Sequence, residues 1–231
     1  MNPEFFDRLE IALASERLNA YRHDGAEPLI TLARYLWNMA LCESLYSPLQ
    51  TAEIALRNAL HRALENRFNA PDWYDAPGCW NILSQGQQSS VTDAKRTLAS
   101  QGKVVSPGRI VAELTFGFWT TFFNKRFAQE QVVVHLISTV FHTAPKPERD
   151  LRKLNKRWTS IRGLRNRVFH HERIVHWSDL DAKHAMILEV IGWISPELHE
   201  MALALDRFCQ IRKEGLTPWI QKLRQHWPHG K

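Results

Sequence analysis

Five prolines in this chain directly follow a residue able to cap a helix: Asn2-Pro3, Ser47-Pro48, Ser106-Pro107, Ser195-Pro196 and Thr217-Pro218. Proline suits the first helical position, where its missing N–H has no intrahelical acceptor and its φ is already helical. Between these starts apolar residues recur three and four apart, and only ten glycines interrupt 231 residues. Such punctuation leaves long helical windows. No strand-like alternation and no internal repeat is visible. The pattern predicts helices over 3–22, 27–46, 47–67, 87–101, 107–125, 128–142, 148–171, 178–194, 196–213 and 218–226. The Ser195-Pro196 step either starts a helix or kinks a longer one. Asn69 to Asn81 reads as a loop, with Pro71, Pro77 and Gly78 as breakers.

The expected fold class is therefore all-α. The length allows a proper core without staples. With 44% hydrophobic and 23% charged residues, disorder is not expected over most of the chain. No obvious linker divides it, so a single domain over 1–231 is expected, with a C-terminal appendage at 214–231. Cys42, Cys79 and Cys209 are sparse, odd in number and form no CxxC, which suits a reducing cytoplasm. Met1 to Glu10 lacks a basic region followed by an apolar run, so no leader is expected. No stretch of about 18 apolar residues exists, so no membrane partner is expected either.

Charge is unevenly spread. Between Lys146 and Arg173 stand ten Lys and Arg against three acids, a local +7 in a chain of net +6. Concentrated positive charge favours a polyanion such as nucleic acid. The competing reading is a solvated helix face in a mildly basic protein.

Within that segment the run Arg162-Gly-Leu-Arg165-Asn166-Arg167-Val-Phe-His170-His171-Glu172 is the most informative. On a helix, Ile161, Leu164 and Val168 share an apolar stripe, while Arg162, Arg165, Asn166 and His170 share an arc on the other side. His171 falls at the edge of the apolar stripe, which favours a structural role. Arginine contacts phosphate oxygens through a planar fork, and histidine can move a proton near neutrality. The same pattern would also arise on an ordinary solvated face.

Arg165-Asn166-x(3)-His170 matches the Arg-polar-x(3)-His motif of HEPN domains, and Leu164 to Glu172 resembles the version in Abi-like (abortive infection) proteins. Leu41-Cys-Glu43, Pro48-Leu-Gln50 and Glu53-x-x-Leu56-Arg57-Asn58 are similar to that family's early helices. Asp72-Trp73-Tyr74 is similar to a loop after them, and Ala112 to Trp119 to a central helix. The resemblance spans roughly Ala33 to Val175. Arg173 departs from it, since many members carry proline there.

The resemblance implies a HEPN-type helical bundle with a core over about 27–213 and additional N- and C-terminal helices. It implies a metal-independent endoribonuclease, often a toxin in phage defence. RNA would be cleaved by attack of its own 2′-OH, leaving a 2′,3′-cyclic phosphate. Arg165 would hold non-bridging phosphate oxygens, His170 would be general base or acid, and Asn166 would orient either. Arg162, Arg167, Arg173, Arg157 and Lys156 would bind RNA. One Arg and one His per chain are few for a reaction needing both acid and base, so a homodimer is expected. A protein or structured small RNA is a conceivable antitoxin. The alternative is a non-catalytic HEPN module that binds RNA or regulates.

Glu53, Arg57 and His61 form a second polar stripe at i, i+4 and i+8. An intrahelical Glu–Arg pair explains it most simply; support for the catalytic groove, from Glu53, Arg57 and His171, is the other reading. No metal or cofactor is expected, because His170, His171 and His176 have no nearby cysteine and few carboxylates. The His226-Trp-Pro-His229 tail reads as solvated. Trp37, Trp119, Trp158 and Trp193 read as core residues rather than RNA-stacking platforms.

Overall fold

Proline inside a helix removes one backbone bond and crowds the carbonyl four residues back, yet Pro48 lies inside an uninterrupted 41-residue helix, Pro28–Phe68. This is a property of the computed structural model, which describes residues 3–22 and 25–226. The expected helix start at Ser47-Pro48 is thus corrected. Burial explains the continuity, since Leu41, Leu45, Leu49, Ala52 and Leu56 are all almost fully buried on either side of the proline. Breaking the helix there would expose a continuous apolar stripe.

The protein is all-α: among the described residues only helices, 3-10 turns and connecting segments occur. Among the described residues, no helix is long and apolar enough to cross a membrane. Three other expected helices are broken, the 196–213 helix among them, which is Pro196–Leu205 and then Phe208–Glu214. The first ends at Leu13 and resumes at Ser15, with Ala14 at φ 68° between them. The expected 107–125 helix is Pro107–Glu113, then Phe116–Thr120, then 3-10 turns. Leu114 is extended there, and Thr115 caps the new helix by accepting the Phe118 N–H. The Asn69 to Asn81 loop contains one short helix, Pro77–Trp80. Ser195 starts the Pro196–Leu205 helix as a cap, its hydroxyl accepting from the Leu198 N–H. Residues 227–229 of the expected tail, and Asn2 of the first expected helix start, lie outside the described residues.

The chain divides into two compact units, at Ser47/Pro48, Leu164/Arg165, His184/Ala185 and Ala204/Leu205. The first holds residues 1–47, 165–184 and 205–231. Its core is mainly aliphatic. Phe6, Leu18, Leu29 and Leu32 are buried together, with Leu9, Leu13, Ile220 and Leu223 packed against them. The N-terminal helices and the Thr217–His226 helix therefore share one core.

The second unit holds residues 48–164 and 185–204. Its core is aromatic. Trp73 is fully buried and meets Tyr74, Phe118, Trp119 and Phe122 at ring-centroid distances of 5.4–6.4 Å. Trp158 is also fully buried, against Phe116, Phe123 and Phe141. Each such ring pair adds about 0.5–1.5 kcal/mol beyond the area it buries. Helix Gln85–Ser100 enters this unit through a reciprocal Ser84–Gln87 capping box, and the Gln87 amide then donates to the Phe118 carbonyl. Trp119, Trp158 and Trp193 are core residues, while Trp37 is half-buried.

Candidate functional site

Arg165, Asn166 and His170 lie in the first unit, at the end of helix Leu151–Phe169. The helix stops two residues earlier than its pattern predicts. His171 takes φ 56°, the left-handed conformation that terminates helices. Its N–H bonds to the Val168 carbonyl, and the Glu172 N–H reaches back to Arg167. Those two bonds form a Schellman cap, with a histidine where glycine is usual. A non-glycine residue there carries about 1 kcal/mol of strain. An Arg167–Glu172 ion pair spans the cap, at the two positions where an apolar contact more often sits.

His170 is therefore past the helix proper but still in register, its N–H bonded to the Asn166 carbonyl at 2.9 Å. Asn166 and His170 are both exposed. The Arg165 guanidinium lies over the Phe169 ring at 4.3 Å, and Phe169 stacks on Tyr46 at 4.3 Å. His171 is exposed rather than turned toward the core. The left-handed backbone swings its Cβ away from the stripe that a continued helix would have put it on.

The segment after the cap is held by polar contacts from other parts of the same unit. Asn38 is 3% exposed. Its Oδ1 accepts the Ile174 and Val175 N–H groups, and its Nδ2 donates to the Glu172 carbonyl. Arg17 donates to the His171 carbonyl at 3.0 Å, and Arg173 donates to the Ala20 carbonyl. Beside the cap lies a mostly apolar cavity of about 300 Å³, with Tyr35, Met39, Cys42, Tyr46, Val168 and His171 among its walls. Burial pushes the Cys42 thiol up to about 11, so it is protonated and inert at neutral pH.

The remaining expected RNA contacts are differently engaged. Arg167 pairs with Glu172 and lies 5.9 Å over Trp177. In the second unit, Arg157 is gripped by Glu148 and Glu189 and lies 4.5 Å over Trp193. Lys153 and Arg157 hold the Glu148 carboxyl below its ordinary range. Arg162 donates to the Thr120 hydroxyl at 3.1 Å. Lys156 is exposed.

Glu53 and Arg57 are also in the second unit. Arg57 reaches the Ala112 carbonyl at 3.4 Å. His61, third on that stripe, accepts the Trp73 indole N–H on Nδ1 at 2.9 Å. Burial lowers its pKa, against an opposing pull from Glu65. This histidine satisfies the most central tryptophan of the aromatic core.

One cluster was not legible in the sequence. His184, Asp206 and Cys209 converge in the first unit. Burial, then Asp206 and Asp181, raise the Cys209 thiol above its ordinary value. The Asp206-x-x-Cys209 spacing is a weak signal, and His184 stands 22 residues earlier. No family model, curated protein or solved structure matches the chain.

Proposed function

We propose that this chain is a metal-independent endoribonuclease of the Abi-like HEPN type, working as a homodimer on RNA. The observation that carries this reading is the exposed Asn166–His170 step at a helix end, braced by a strained cap and by Asn38. A rigid support of this kind positions reacting groups better than a free loop. RNA supplies its own nucleophile, so only proton transfer and charge stabilisation are required.

In this mechanism His170 takes the proton from a ribose 2′-OH as that oxygen attacks the adjacent phosphorus. Arg165 stabilises the non-bridging oxygens, and Asn166 orients the imidazole or the phosphate. The 5′-oxygen leaves with a proton from His170 of the second copy, giving a 2′,3′-cyclic phosphate. Within the first unit Arg173 extends the contact along the backbone, and Lys156 and Arg162 are further RNA-contact candidates on the second unit. Arg157 and Arg167 contribute less, because acidic partners already hold them. A toxin in phage defence, restrained by a protein or structured-RNA antitoxin, is the biological setting this chemistry fits.

Purified protein incubated with total RNA, with and without EDTA, tests the reading. Cleavage that survives EDTA, leaves cyclic phosphate ends and falls at least ~100-fold in His170→Ala is the expected result. Equimolar mixing of wild type with His170→Ala should lower activity below the simple average, through mixed dimers. Undiminished cleavage by pure His170→Ala would refute the assignment. Tight RNA binding without cleavage would make the chain a binding module instead.

A further inference from the structure

We propose that His184, Asp206 and Cys209 form a binding site for a zinc-like divalent ion within the first unit. The site is separate from the proposed RNA chemistry. One ring nitrogen, one carboxylate oxygen and the thiol sulfur lie within 4.8 Å of one another. His184 Nε2 and Asp206 Oδ1 are already 3.0 Å apart. Ligands on a tetrahedral zinc stand roughly 3.3–3.6 Å from each other, given bonds of about 2.0–2.3 Å. The nitrogen–oxygen pair must open by a few tenths of an ångström. The thiol must swing in by at most about 1.5 Å, which an exposed side chain can do by turning about one bond.

The surroundings are those of a site rather than a chance meeting. The His184 and Asp206 side chains are only 5% and 11% exposed. Phe208 is fully buried and stacks on the imidazole at 4.4 Å, fixing the plane of the ring. Asp206 accepts the Phe208 N–H at 3.2 Å, which anchors its carboxylate at the start of helix Phe208–Glu214. Cys209 follows within the first turn of that helix, so one backbone turn presents two of the three ligands. A buried imidazole, a half-buried carboxylate and an exposed thiol that gives up its proton on binding supply one nitrogen, one oxygen and one sulfur donor. That mixed set suits zinc or cobalt(II) better than calcium or magnesium, which prefer oxygen alone. The fourth position is left to water. The bound ion would tie the segment carrying Arg165 to His184 to the C-terminal helices of the same unit.

Titration of metal-free protein with cobalt(II), followed by displacement with zinc, tests this. One cobalt per chain is expected, with a thiolate-to-cobalt charge-transfer band and the visible bands of tetrahedral cobalt. Zinc should erase both and raise the Tm. Cys209→Ser changes one atom at an exposed position, so it should fold; it should lose the charge-transfer band and bind zinc at least ~10–100-fold more weakly. His184→Gln with unchanged near-ultraviolet circular dichroism should lose the visible bands. No charge-transfer band in the wild type, or the same band in Cys209→Ser, overturns the site. So does zinc binding unaltered by either substitution.

Discussion

The two units solve the same problem with different physics. The second is packed around rings: Trp73 and Trp158 are fully buried within clusters of other aromatics. The first has a smaller, mainly aliphatic core and holds its candidate stretch by hydrogen bonds. There a buried asparagine serves three backbone groups, an arginine grips the His171 carbonyl, and a strained histidine closes a helix. Ring packing contributes stability but little direction. Hydrogen bonds are directional, so they set where a side chain such as His170 points. The unit carrying the candidate chemistry is accordingly the one braced by polar contacts, and the unit without it is the one filled with apolar bulk.

This contrast predicts a graded series. Trp158→Ala should be the most damaging, removing about 3–5 kcal/mol of stability by leaving a large cavity. Chemical denaturation measures it, and a loss below about 1 kcal/mol would show that the aromatic cluster collapses freely. Asn38→Ala comes next, at about 2–3 kcal/mol, because it strands the Ile174 and Val175 N–H groups and the Glu172 carbonyl. Asn38→Asp keeps the acceptor for both N–H groups but buries a carboxylate against the Glu172 carbonyl, so it should lose at least as much. RNA cleavage should fall further in Asn38→Ala than in a ring-core variant matched for stability. Equal falls would erase the distinction between the units.

His171→Gly should stabilise by up to about 1 kcal/mol, since glycine adopts φ 56° without strain but has more freedom to lose on folding. Cleavage should be retained, whereas its loss would transfer the proton-moving role from His170 to His171. The smallest effect concerns pH. His61 titrates below its ordinary value of 6.5 when folded, so the unfolded chain takes up this proton first as pH falls. Its contribution is complete above about pH 6.5 and declines below it, until the folded imidazole is also protonated. His61→Gln can still accept the Trp73 N–H, and its stability should change less between pH 7 and about 5. An unchanged pH profile would remove His61 from this account.

The candidate motif was readable as residue types at a spacing, but its geometry was not. A helix ending at Phe169 needs a left-handed residue at His171, and histidine gives no such signal, as glycine would. Asn69 shows the contrast. It is a residue that tolerates this conformation, it takes φ 50°, and it ends the Pro28–Phe68 helix within one residue of the predicted boundary. Asn38 looked like one more polar residue in a helical window. Its importance depends on backbone groups 134–137 residues away.

By itself the sequence determined that this protein is all-α, where several helices begin and that Trp119, Trp158 and Trp193 are buried, though it missed the fully buried Trp73. Those features follow from local chemistry: capping, proline geometry and apolar periodicity act over a few residues. Only the tertiary structure decided that Pro48 is carried inside a helix, that Leu114 interrupts one, and that His184, Asp206 and Cys209 meet. Each of these is settled by burial or convergence of distant segments, and a neighbour's worth of several kcal/mol outweighs the local preference it overrides.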